Sequence, residues 1–254
     1  MGTWIYHLRI AQKLLENWPS LDEMAFICGN LAPDSGRPNA DWTRFDPPKE
    51  LTHFLQPKPI RPRGADLIYY RAYLAGMDEI REPVHYAFNL GYFCHLLADN
   101  LWIVQIEPAS RAGNAAIFAN EGEAGWNTLK GDWYDLDRLY LADHPDSLYW
   151  RFCRGIPVMP PYLPFLDWDS LYEQYSYMRN YYQQPPERPL DRCYRYLNAA
   201  TMNRCVADSS RKIEHLVELL KRHASPEEEP SALALLSPED LLAYEPPLGD
   251  VEHN

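Results

Sequence analysis

Residues 91–102 read GYFCHLLADNLW. The stretch is mostly apolar, yet His95 and Asp99 stand four residues apart within it. Followed outward, the run opens at Pro83, a residue suited to a first helical position, and is predicted to stay helical to about Ile106. Positions i and i+4 share one helix face, with Cβ atoms roughly 6 Å apart. Both side chains can therefore reach a single point. One reading is a His–Asp pair hydrogen-bonded within a core. The other is a shared metal ion, because imidazole nitrogen and carboxylate oxygen are good zinc ligands at about 2.0–2.2 Å.

The rest of the chain also reads as helix. Strand signals are scarce. Residues 4–16 place Ile5, Leu8, Ala11 and Leu15 at helical spacing. Ser20 to Glu23 form a capping box that should open a second helix, closed at Gly29. Asn30 to Pro48 is rich in turn formers, and residues 49–55 predict a short helix that Pro57, Pro59 and Pro62 stop. Further helices are expected over 65–80, 132–142 and 168–182, with one long helix, whole or broken, over Leu190 to Arg222. The expected fold class is all-α. Residues 1–222 are expected to form one metal-binding helical domain, and 223–254 an acidic, Pro-rich tail. The tail's leucines suit either a docked arm or a flexible segment, and its composition gives it no role at a metal centre.

Composition narrows the function classes. The 254 residues are 46% hydrophobic, enough for one large core, and carry a net charge of −12. Residues 223–254 hold eight acids and no Lys or Arg, which leaves 28 acids against 24 bases in the body. No basic track for long nucleic acid is present. The five cysteines are scattered, odd in number and without a CxxC pair, so reduced and mostly buried thiols are expected. The first residues lack the basic and apolar regions of a signal peptide, and no apolar run reaches 18 residues. A cytoplasmic protein without a membrane span is the expectation.

Other ionisable groups interrupt apolar segments as His95 and Asp99 do. His7 lies in an apolar helix, His53 between apolar neighbours, and Asp34 in a loop after GNLAP. Burying a carboxylate or a cationic imidazole is costly unless it is paired or coordinates a metal. If His7, Asp34, His53, His95 and Asp99 converge, a metal centre is the economical shared partner. His85, ten residues before His95, is expected to pack, and Tyr92 and Trp102 to fill the core. Asp132 and Asp135 suit a helix N-terminus. Arg61 and Arg63 suit a solvated loop, and His215, His223 and His253 the surface.

Four segments carry a family resemblance: HLRIA at 7–11, GNLAPDS at 29–35, THF at 52–54, and GYFCHLLADNLW. In this order they resemble the zinc-dependent phospholipase C / P1 nuclease superfamily, especially its small bacterial phospholipase C-like hydrolases. The resemblance covers about residues 4–102. It implies a multi-helix bundle of that type. It also implies a main zinc site of Asp34, His53, His95 and Asp99, with Asp99 bridging to a second metal that His7 also binds. Secreted members use a mature N-terminal tryptophan as a ligand, whereas Trp4 here is internal. They also have a third site built from two later histidines and an acid. No histidine occurs between Asp99 and His144, so that site is expected to be lost, or rebuilt from Glu107, Asp132 or Asp135. One or two zinc ions are expected, with Mn or Fe also suited to the donor set.

A divalent ion lowers the pKa of bound water toward 7 and polarises a phosphoryl oxygen, and Asp34 is expected to serve as the base. The implied function is hydrolysis of phosphoester bonds, on a small phosphoester or a phospholipid head group. The alternative is a non-catalytic helical protein that keeps a structural or vestigial metal site. An HD-type phosphohydrolase needs an adjacent His-Asp pair, and the chain has none.

Overall fold

The computed structural model describes residues 2–41, 43–55, 64–223 and 225–251, and over these the chain is all-α. In chain order the helices are α1 (Trp4–Asn17), α2 (Glu23–Leu31), α3 (Lys49–Thr52), α4 (Asp66–Tyr73), α5 (Pro83–Gln105) and α6 (Glu107–Gly113). They continue as α7 (Ala115–Glu121), α8 (Gly125–Asp143), α9 (Leu148–Cys153), α10 (Trp168–Gln183) and α11 (Ala199–Arg222). Among the described residues, strand structure is limited to the antiparallel pair β1 (Arg37–Pro38) and β2 (Phe45–Asp46) and a bridge between Leu55 and Gly64.

Helix α5 is the axis of the bundle. Its 23 residues span about 35 Å at 1.5 Å per residue. Residues Tyr86 to Ile103 are buried without a break, as befits a helix that is apolar on all sides. Helix α2 lies directly against it, and two glycines make the approach possible. A Cβ on Gly29 would sit 1.8 Å from the Phe88 carbonyl oxygen, and one on Gly91 would sit 2.1 Å from that of Phe26. Helix α1 packs on α2, α5 and α11. It is capped by Thr3, whose hydroxyl accepts from the Tyr6 amide. Helix α11 buries a stripe through Met202, Val206, Ile213, Val217 and Leu220 and leaves its polar face outward.

Several expected boundaries move, each for a tertiary reason. The N-cap of α2 is Asp22, which accepts from the Ala25 amide at 2.8 Å. Gly29 does not close that helix but lies inside it, where its missing side chain admits α5. The helix expected over 65–80 stops at Tyr73, because Gly76 takes φ +81° and turns the chain, leaving Ile80 86% exposed. Residues 190–198 are not helical. The tail holds them instead, with the Asn198 amide donating to the Leu248 carbonyl at 3.0 Å and the Asp250 amide to Tyr194. The prolines at 57, 59 and 62, together with Arg61, Arg63 and His253, lie outside the described residues.

The tail is a docked arm. Ala232, Leu233, Leu236 and Leu248 are buried. The arm is tied to α4, where the Leu67 amide donates to the Pro230 carbonyl at 3.1 Å, and to α5, where the Tyr244 amide donates to the Gln105 carbonyl at 2.9 Å. No helix among the described residues is long and apolar enough to cross a membrane.

Candidate metal centre

Four separate segments deliver the five ionisable residues to one place. His7 comes from α1, His95 and Asp99 from α5, Asp34 from a 3-10 turn that continues α2, and His53 from the C-cap of α3. His7 and His95 are wholly buried, while Asp34 retains 14% side-chain exposure. His7 Nε2 stands 3.3 Å from Asp99 Oδ1, and His53 Nε2 stands 3.4 Å from Asp34 Oδ1. His53 Nε2 and His95 Nε2 each lie 3.5 Å from Asp99 Oδ2. The ligand atoms of His7, His95 and Asp99, and those of Asp34, His53 and His95, lie within 4.8 Å of one another.

Neighbouring groups orient the rings. His95 Nδ1 is bonded to the Asn30 carbonyl at 2.7 Å, and His53 Nδ1 to the Thr52 hydroxyl at 2.9 Å. Engaging Nδ1 leaves Nε2 of each ring to face inward, the usual way a protein fixes a metal-binding imidazole. The Tyr92 hydroxyl donates to the Thr52 carbonyl and so ties the His53 segment to α5. The Gly2 amide donates to Asp99 Oδ1 at 3.1 Å.

The inward atoms have no hydrogen-bond partner: both ring nitrogens of His7, Nε2 of His53, Nε2 of His95 and Oδ2 of Asp99. Unsatisfied buried polar atoms are rare and expensive. Ligands bonded to a tetrahedral zinc at 2.0–2.1 Å lie about 3.3–3.4 Å apart, close to the separations found here. The donor set therefore fits a divalent ion. His95 has one free nitrogen, so it can serve one ion only. Asp34 Oδ1, His53 Nε2, His95 Nε2 and Asp99 Oδ2 would hold the first, and His7 Nε2 with Asp99 Oδ1 would contribute to a second.

Electrostatics agree with this division. The His7 and His95 rings stack in parallel at 3.8 Å, so an imidazolium charge on one disfavours a second on the other. Burial, with the His95 charge beside it, pushes His7 down to about 4. Burial also pushes His95 down, but the neighbouring Asp99 outweighs it and holds His95 above its ordinary value. Burial would raise both Asp99 and Asp34. The imidazoles reverse that, keeping both carboxylates below their usual range.

The other sequence candidates lie elsewhere. Asp132 and Asp135 sit mid-helix in α8 rather than at a helix start. Arg192 binds Asp132 at 2.7 Å and Asp135 at 2.6 Å, and Arg188 adds a 2.7 Å contact to Asp135. Those carboxylates are saturated by guanidinium groups, so a third site is not rebuilt from them. His85 stacks on Tyr162 at 4.2 Å and meets Glu82 at 3.2 Å. Trp102 and Tyr92 are buried in the core, and His215 and His223 are exposed. All five cysteines are free, and Cys28, Cys94 and Cys205 are buried.

A cleft of about 830 Å³ opens beside the cluster, and Asp34 is the one member of the five that lines it. Trp4, Phe45, Lys49, Lys130, Tyr134 and Arg138 also line it. The sequence reading missed Asn30 and Thr52 as orienting groups and the two lysines as cleft residues. Compared with known protein-family models, curated proteins and solved structures, the chain matches none.

Proposed function

We propose that the chain is a metal-dependent hydrolase of phosphoester bonds, phospholipase C-like in its chemistry. Zinc is its resident ion, and a small phosphoester or phospholipid head group its substrate. One observation carries the reading. Buried imidazole nitrogens and an Asp99 oxygen stand without hydrogen-bond partners, within 3.5 Å of opposing ligand atoms, beside an open cleft. The ordered segments that resemble the zinc-dependent phospholipase C / P1 nuclease superfamily favour the same reading.

A bound divalent ion supplies a lowered pKa for water and polarisation of a phosphoryl oxygen. The chain's own residues do the remainder. Asn30 and Thr52 hold two imidazoles in register, and Asp99 keeps negative charge between the three rings. Asp34 is the least buried of the set and faces the cleft, which suits its carboxylate to take a proton from water. The aromatic wall and bulk of the cleft receive the organic part of the substrate. The free cysteines suit a reducing compartment, and we place the protein in the cytoplasm.

A second reading has its own support. Four protein donors around the first ion are the number that closes a structural zinc site. Protein purified without chelator separates the two. The hydrolase reading expects bound zinc and turnover of p-nitrophenyl phosphorylcholine, bis-p-nitrophenyl phosphate or single-stranded nucleic acid, lost on chelation and restored by zinc. Tightly held zinc whose removal unfolds the protein, with no turnover of any phosphoester, establishes the structural role instead.

A further inference from the structure

We propose that Lys49 and Lys130 form a seat for a dianionic terminal phosphate beside the His/Asp cluster, so that the cleft takes phosphomonoesters in preference to diesters. The preference in turnover rests on the hydrolase reading, whereas the phosphate seat rests on the cleft itself.

The two lysines come from unrelated elements. Lys49 opens α3, the helix whose C-cap is His53, and Lys130 lies in α8. Both line the cleft with Asp34. Lys130 is partly buried, and burial together with the adjacent Lys49 charge pulls its ammonium down, while Asp34, Glu107 and Asp99 oppose that. Two like charges in one partly buried cleft repel, and that arrangement persists at least cost when an anion lies between them. Neither lysine has an anionic partner within ion-pair distance among the described residues. The contact of Lys49 is with the face of Phe45, 4.5 Å away.

The other cations of the cleft are occupied. Arg188 is bound to Asp135 at 2.7 Å. Arg138 donates to the carbonyls of Tyr181 at 2.9 Å, Tyr182 and Gln184. Among the described residues, Lys49 and Lys130 are thus the cleft cations left for a ligand. The sum of charge then points to its class. Asp34 and Asp99 bring two negative charges to the cluster, which the first divalent ion cancels. The two ammonium charges then face the cleft, whose described lining also holds Glu187, with Glu107 acting on Lys130. A phosphomonoester carries close to two negative charges at neutral pH, its second pKa being about 6, whereas a diester carries one. Ammonium groups recognise phosphate as point charges, without demanding a bidentate geometry.

Calorimetric titration of inorganic phosphate into the metal-loaded protein tests the seat without reference to turnover. Wild-type protein should bind phosphate, more weakly as salt is raised. The Lys49→Met/Lys130→Met double variant should bind at least tenfold more weakly with its metal content unchanged, and Lys130→Arg should restore most of the loss. If the double variant does not fold, Lys49→Met and Lys130→Gln taken singly replace it. Kinetics then compare p-nitrophenyl phosphate with bis-p-nitrophenyl phosphate. The monoester should be preferred, and the lysine variants should lower the monoester-to-diester ratio of kcat/KM at least tenfold, chiefly through KM for the monoester. Phosphate binding that is absent in wild type, or equal in wild type and variants, overturns the seat. A diester preference that the lysine variants do not alter also overturns it, leaving the hydrolase reading intact. Lysine-dependent phosphate binding with no turnover of any ester supports the seat and removes the hydrolase reading.

Discussion

Asp99 divides its two carboxylate oxygens between different partners, Oδ1 toward His7 and Oδ2 toward His53 and His95. That division makes its loss costlier to metal binding than the loss of His7. Asp99→Ala should purify with almost no bound metal, while His7→Ala should keep one ion of the first site. Metal analysis of both variants decides the point, and equal loss of a single ion from each would show one mononuclear site. A second residue-scale test concerns Asp137, buried between the Thr3 hydroxyl at 2.9 Å and the Tyr182 hydroxyl at 2.6 Å. Burial pushes its carboxyl up to about 7 against those two donors. A carboxyl raised in the folded state holds its proton more tightly there than in the unfolded chain. The stability it contributes is therefore complete below about pH 4 and is lost as pH rises through about 7. Across that window wild type should lose stability relative to Asp137→Asn, read as urea midpoints measured at intervals from about pH 4 to about pH 8. Parallel pH profiles for the two proteins would show that Asp137 titrates normally.

Helices α2 and α5 touch closely enough that their backbones position the centre. A Cβ at Gly91 would meet the Phe26 carbonyl at 2.1 Å and the Asn30 amide at 2.9 Å. Both obstacles are backbone atoms, which cannot rotate aside. Gly91→Ala gains about 1 kcal/mol of helix propensity but must push the helices apart, an overpacking cost of about 1–3 kcal/mol or more. It also shifts the Asn30 carbonyl that orients His95. The expected outcome is a lower Tm together with weaker zinc affinity. Gly155→Ala has open space around its Cβ and serves as the control, with both quantities unchanged. Had Gly29 and Gly91 been read as a facing pair, the sequence would have shown this contact. Each looks by itself like a helix end or a weak helix position.

The whole molecule includes its tail. Buried Asp66 accepts from the Ser231 hydroxyl at 2.5 Å, the Ala232 amide at 2.7 Å and Asn100 Nδ2 at 2.7 Å. Asn100 follows Asp99 directly and also exchanges hydrogen bonds with the backbone of Gly64. The arm therefore braces the part of α5 that carries the centre, although its acidic composition suggested no such part. Truncation after His223 removes Leu233, Leu236 and Leu248 from the core, each worth about 1.5–3 kcal/mol of burial, and strips two donors from Asp66. Thermal melting should show a large loss of stability, and metal analysis a reduced zinc content. A truncated chain that melts and binds zinc like the full one would show the arm to be ornamental.

Local chemistry was enough to read the fold class and most of the longer helices, though not all of their ends. Apolar spacing along 4–16 and 168–182, Pro83 ahead of the run to about Ile106 and the capping signal at Ser20 to Glu23 act within a dozen residues, so the sequence by itself determined that the chain is all-α and that His7, Asp34, His53, His95 and Asp99 stand among apolar or turn-forming neighbours. Packing decided the rest. Which imidazole nitrogen faces inward depends on the Asn30 carbonyl and the Thr52 hydroxyl, and Asn30 is brought to His95, 65 positions along the chain, by the Gly29 and Gly91 contacts. Lys49 and Lys130 share a cleft only because the fold brings residues of α3 and α8 to its walls, and residues 190–198, which are not helical, are held by the tail that lies against them. Periodicity and capping depend on near neighbours in the chain, whereas convergence depends on close packing between segments far apart in it. The tertiary structure alone brought these groups together.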